Sequence, residues 1–246
     1  MTEHNAPAAG GASIAATPPG STTSRGRSVL LFLRDVLVIV VAALVISFLI
    51  KTFLIRSFYI PSESMQDTLL VNDRIIVNQL VPDVVEIERG DVVVFRDPGG
   101  WLPALPETPQ APLAAAGDWV LSLIGLSASD SDEHLVKRVI GLPGDRIVCC
   151  NDLGQLSING VPLDEPYVLL PAGTTDVAGQ DFQEDVPEGT LWVMGDNRYD
   201  SSDSRFNGVV PIADVVGRAF VISWPIDRWQ WIDSYPIVFD GVERAE

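Results

Sequence analysis

Residues 28–58, SVLLFLRDVLVIVVAALVISFLIKTFLIRSF, constrain this chain more than any other stretch. The uncharged centre, Val36–Ile50, is 15 residues long. As a helix it spans about 22 Å, short of the roughly 30 Å hydrocarbon core of a bilayer. Adding Val29–Leu33 and Thr52–Ile55 gives enough length, with Arg34 and Lys51 reaching toward the interfaces and Asp35 pairing locally with Arg34. Hydrophobicity on every face argues against a buried soluble helix. A cleaved secretory signal is disfavoured because a long segment precedes the run and no small-residue cleavage site follows directly. The expectation is one transmembrane helix over 29–55, after a disordered tail over 1–28 rich in Ala, Pro, Gly, Ser and Thr. Basic residues flank the span on both sides, so the positive-inside signal is weak. The orientation adopted puts the tail in the cytoplasm and the remainder, 56–246, outside the plasma membrane.

After residue 58 the pattern changes. DRIIVNQLV, GDVVVFRDP, EHLVKRVIGLPGDRIVCC, GTLWVMGD and GRAFVISW are short Val/Ile-rich runs closed by Gly, Pro, Asp or Asn. Asn159-Gly160 in SINGVPL is a strong hairpin signal. These features predict a mostly β, antiparallel extracytoplasmic domain behind one N-terminal helix. Residues 98–133, rich in Pro and Ala, read as an excursion from the sheet, with GDWVLSLIGL as one short apolar helix. Residues 147–190 read as a small β insertion.

The formal net charge is −17, and nearly all of the acidic excess follows the span. Such a surface repels phosphate backbones, which excludes nucleic acid as a partner. No zinc-type Cys/His cluster or glycine-rich phosphate loop occurs, so neither metal nor cofactor is expected. The two cysteines, Cys149 and Cys150, are adjacent. Strand neighbours point to opposite faces, which favours two separate thiols over a strained bridge.

Ser64, in IPSESMQDTL, needs a base if it is a nucleophile. The chain has only two histidines, His4 in the tail and His134. His134 and Lys137 lie three apart, so on a strand they face opposite ways and only one can share a site with Ser64. Lys137 shares its face with Leu135 and Val139, and burial there favours the neutral amine. The demand is large, because at a reference pKa of about 10.4 well under one lysine in a thousand is neutral at pH 7. Arg138 points the other way, where a carboxylate can meet it. Taken singly, Ser64, Lys137 and the polar run MGDNRYDSSDSRFNG each read as solvated surface.

Together they do not. PSESM (61–65), KRVIGLPGD (137–145) and GDNRYDSSDSR (195–205) occur in that order behind an N-terminal anchor. In this the chain closely resembles bacterial type I signal peptidases, membrane-bound serine proteases that remove signal peptides from exported preproteins. The likeness spans most of residues 30–225. It implies Ser64 as nucleophile and Lys137 as general base. It implies the Ser62 hydroxyl and the Ser64 N–H as the oxyanion hole, and Ser201 as the group orienting the lysine amine. Asp203 and Arg205 match a structural ion pair, with Asp196 the partner for Arg138. Ile60, Pro61, Met65, Leu69, Leu135 and Val136 match the walls of shallow pockets suited to Ala-x-Ala before the cut. Preprotein signal peptides and the lipid bilayer are the implied partners; the oligomeric state is not given. The chain departs from the family at Asp67, where Pro-Thr-Leu usually begins, at Asn72 for glycine, and at Gln79 for lysine. Trp224, Trp229 and Trp231 either sit at headgroup level or pack ordinarily.

Two other readings compete. A self-cleaving LexA-like protein shares a Ser-Lys core but carries a DNA-binding module, which this chain replaces with an apolar span. A non-catalytic anchored β domain binding export partners is the other, opposed by the presence of Ser64, Lys137 and Ser201.

Overall fold

The structure, a computed structural model, describes residues 25–102 and 134–244. The expected tail up to residue 24, the Lys51 side chain and most of the 98–133 excursion, with its apolar GDWVLSLIGL stretch, lie outside the described residues. The chain divides after Ile46 into two units. No Pro or Gly interrupts residues 28–58, and one continuous helix, α1 (Arg25–Phe53), forms there. Its segment Val29–Ile50 has a mean hydropathy of 2.9 and, among the described residues, is the one helix long and apolar enough to cross a membrane. Arg34 and Asp35 pair at 2.8 Å on its surface.

The second unit is built on two antiparallel sheets, in agreement with the expected fold class. The larger has eight strands. These are β1 (Ile55–Tyr59), β2 (Arg74–Asn78), β3 (Val92–Arg96), β4 (His134–Gly141), β9 (Thr190–Met194), β10 (Val210–Pro211), β11 (Val215–Trp224) and β12 (Gln230–Trp231). They run in the order β1-β2-β11-β3-β4-β9-β10, with β12 pairing β11. β3, VVVFR, lies between β11 and β4 and buries its first four residues, as a strand covered on both faces must. One core layer gathers Val93, Phe95, Leu135, Val139 and Val193. Another gathers Phe58, Met65, Ile75, Val77 and Val94. Each such side chain contributes roughly 1.5–3 kcal/mol through burial.

The smaller sheet joins β5 (Arg146–Cys149), β6 (Ser157–Ile158), β7 (Val161–Pro162) and β8 (Phe182–Asp185) in the order β7-β6-β5-β8. Asn159 and Gly160 connect β6 to β7 with φ of +52° and +83°. Two positive values are what a two-residue hairpin turn of matching twist demands. Ile147, Ile158 and Leu163 of this region pack with Trp192 and Met194 of β9, so the two sheets share a core.

Cys149 and Cys150 correct the expectation of two separate thiols: they form a disulfide. Their Cα atoms lie 3.0 Å apart at the end of β5. At the end of β11, in the connection after it and in β12, Trp224, Trp229 and Trp231 are 52%, 56% and 64% exposed respectively. None of the three is core.

Candidate active site

Between β1 and β2 the chain makes a tight helical turn, closed by Gln66 N–H to Glu63 O and Leu69 N–H to Met65 O. Its apolar residues Met65 and Leu69 drop into the core, and that leaves Ser64 at the rim, 8% exposed. Asp67 has φ +92° and Asn72 has φ +76°. A proline, held near −65°, has no access to the conformation of Asp67.

β4 carries Lys137, whose side chain is almost wholly buried at 4% exposure. Its Nζ lies 2.7 Å from Ser64 Oγ and 3.2 Å from the Val136 carbonyl oxygen. Leu135 and Val139 enter one core layer, while Arg138 turns to the other side. There its Nε and Nη2 donate to the two carboxylate oxygens of Asp196 at 2.9 and 2.8 Å. His134 packs its ring against Phe58, with centroids 5.2 Å apart.

Burial pushes the Lys137 amine down to about 8. Asp203 and Asp196 oppose that fall, and Arg205 assists it. The two carboxylates are already engaged: Asp196 faces the Arg138 guanidinium, and Asp203 takes Arg205 Nε and Nη2, each at 2.8 Å. Their residual field is small, so desolvation dominates. At pH 7 roughly one such amine in ten is neutral, against well under one in a thousand at the reference value. A reaction using this amine as a base is expected to gain roughly tenfold in kcat/KM per pH unit below 8 and to level off above it. A pH–rate profile with its acid limb below 6 would remove Lys137 from that role.

The segment after β9 is wired to both partners. Asp203 caps the short helix α2 (Ser204–Asn207) and accepts from Gly195 N–H at 3.0 Å. Ser204 Oγ accepts from Val193 N–H at 3.0 Å. Ser62 Oγ is 3.3 Å from Ser64 Oγ. Ser201 departs from the expectation that it orients the amine: its Oγ is buried without a hydrogen-bond partner, and the amine is held instead by Ser64 and Val136 O. Of the expected pocket-wall residues, Ile60, Met65 and Leu69 are buried where the turn folds its apolar positions inward, and Leu135 of β4 is buried in the other core layer. Pro61, Ser62 and the partly buried Val136 form the accessible edge.

Several residues of the site escaped the sequence reading. Asn197 N–H donates to Ser64 O at 3.1 Å, and its side-chain amide donates to Glu63 O at 3.2 Å. Thr68 Oγ1 donates to Asp196 Oδ2. A Cβ placed on Gly195 would lie 2.3 Å from both the Ser64 carbonyl oxygen and Ser201 Oγ. Only their place inside GDNR marked Gly195 and Asn197 in the sequence, and nothing marked Thr68.

Comparisons with known proteins bear on the chain as a whole. The family model described as signal peptidase, peptidase S26, matches residues 33–224. Signal peptidase I of Mycobacterium tuberculosis is 39% identical over 227 residues, covering 82% of this chain and 76% of that protein. Signal peptidase I of Leptolyngbya laminosa is 38% identical over 172 residues, 69% of this chain and 68% of that protein. A solved signal peptidase I from Enterococcus faecalis V583 superposes with a TM-score of 0.36 at 28% identity, over 54% of this chain and 95% of that one.

Proposed function

The chain belongs to the signal peptidase family, peptidase S26, and is a serine endopeptidase of the signal peptidase I type; from that premise we propose that it removes signal peptides by a Ser64–Lys137 dyad through an acyl-enzyme. The observation that carries the proposal is the 2.7 Å approach of Lys137 Nζ to Ser64 Oγ, with both side chains buried. Ser64 Oγ attacks the scissile carbonyl while the neutral amine takes its proton and delivers it to the leaving amine. Water, activated by the same amine, then hydrolyses the ester. The Ser62 hydroxyl and the Ser64 N–H stabilise the oxyanion, a role supported by the 3.3 Å separation of the two serine oxygens.

Homologues of this type and the apolar helix near the N-terminus fit a membrane-anchored protein. In the proposed arrangement the N-terminus is cytoplasmic and the catalytic domain faces outward from the plasma membrane. Signal peptides stay in the bilayer, so tethering raises the effective concentration of enzyme at the bond to be cut. The exposed Trp224, Trp229 and Trp231 are suited to the headgroup level, where amphipathic rings collect.

The proposed specificity is for small side chains at the edge formed by Pro61, Ser62 and Val136, where a large one would overpack. The full chain in detergent micelles is expected to cut a preprotein directly after Ala-x-Ala, read by N-terminal sequencing of the product. Changing either alanine to leucine is expected to lower kcat/KM roughly 10- to 100-fold. Undiminished cutting of the leucine substrates would refute the small-pocket reading.

A further inference from the structure

Glu165 lies in the connection between β7 and β8, and its carboxylate is fully buried. Three donors converge on it. Arg198 Nη1 reaches Oε2 at 3.1 Å, Arg198 Nη2 reaches Oε1 at 2.6 Å, and the Tyr167 hydroxyl donates to Oε1 at 2.8 Å. The same guanidinium donates from Nε to Gly195 O at 3.1 Å and from Nη1 to Val177 O at 3.0 Å. A few residues on, Leu169 N–H donates to Asp196 O at 2.9 Å, and Leu169 bridges Asn197 in parallel register. Residues 165–169 thus run alongside the turn at 195–198, whose Asn197 holds the backbone of Ser64.

A buried ion pair contributes little to stability compared with a well-packed apolar pair, because both charges must leave water. What this pair does, and an apolar one does not, is present guanidinium N–H groups at fixed geometry to the carbonyls of Gly195 and Val177. Tyr167 adds a second arm. Its ring lies under the Arg138 guanidinium, 4.2 Å from the centroid, and Arg138 grips Asp196.

We infer that Glu165 is a positioning residue for the reaction at Ser64: by orienting Arg198 it fixes the turn at 195–198 and, through Asn197, the nucleophile's backbone. The inference rests on the Ser64–Lys137 reading given above. Glu165 touches neither Ser64 nor the accessible rim, so its loss is expected to lower kcat and leave KM unchanged.

The test uses the full chain in detergent micelles with an Ala-x-Ala preprotein, comparing the parent, Ser64→Ala, Glu165→Gln and the double variant E165M/R198M. The double variant replaces the charges with apolar side chains but leaves the Gly195 and Val177 carbonyls and the Tyr167 hydroxyl without partners, so it is expected to melt below the parent by circular dichroism, and its activity is read per folded molecule. Its kcat per folded molecule is expected to fall about 100-fold, with KM within about threefold, since a shift near 1 Å at a nucleophile has that effect. Glu165→Gln keeps one acceptor oxygen and is expected to lose about tenfold in kcat. Should the double variant fail to fold, Glu165→Gln decides alone. A kcat per folded molecule equal to the parent's, or a loss lying wholly in KM, overturns the positioning role while Ser64→Ala remains inert. Cutting by Ser64→Ala would instead overturn the underlying reading.

Discussion

Replacing Lys137 with methionine is expected to abolish cleavage, by at least ~10³-fold in kcat, and at the same time to stabilise the fold at pH 7. The two effects have one cause. The amine is buried where its charged form is poorly solvated, and its pKa falls from 10.5 to about 8. At ~1.4 kcal/mol per pH unit, that fall corresponds to about 3 kcal/mol withheld from the folded state. Between pH 8 and 10.5 the unfolded chain holds a proton that the folded chain does not. Parent stability therefore climbs with pH across that window and is at its constant low value below it. Methionine fills similar volume without titrating, so its advantage is largest below pH 8 and shrinks toward 10.5. Melts at pH 7 and pH 10, run beside preprotein cleavage, check both halves. A methionine variant that still cuts at a tenth of the parent rate would place the base elsewhere. One whose stability never exceeds the parent's would mean that the amine is hydrated.

Gly195→Ala is expected to be nearly as damaging for a different reason. The added methyl would meet the Ser64 carbonyl oxygen and Ser201 Oγ, each at 2.3 Å. A side chain can rotate away; the Ser64 carbonyl cannot, because Asn197 N–H holds it at 3.1 Å. The nucleophile is displaced, which is expected to lower kcat by about 100-fold, while strain lowers stability by about 1–3 kcal/mol. Adding Ser201→Gly removes the softer of the two clashes. The double variant G195A/S201G is expected to regain stability and not kcat. Recovery of both would show that Ser201, and not the serine backbone, fixes the requirement for glycine.

Composition and periodicity made half of this site legible. The period of two in LVKRV separates Lys137 from Arg138, and the structure sends the first to Ser64 and the second to Asp196. The span over 28–58 and the Asn159-Gly160 hairpin were readable for the same kind of local reason. Glu165, Tyr167 and Asn197 were not, because a carboxylate, a phenol and an amide in a loop look solvated until the chain brings partners from 33 or 134 residues away. Met65 and Leu69 show the effect of local folding. A motif places them beside the nucleophile in sequence, but the helical turn sends them into the core.

The strand order has a consequence for when this protease can begin to act. β11, the last long strand to be synthesised, lies between β2 and β3, so the hairpin that precedes and follows Ser64 joins the strands beyond it only through residues 215–224. A nascent chain released before that point carries its serine and its lysine but has no continuous sheet to hold them together. A chain that stops anywhere upstream of residue 215 is therefore expected to be inert, read by cleavage of a preprotein.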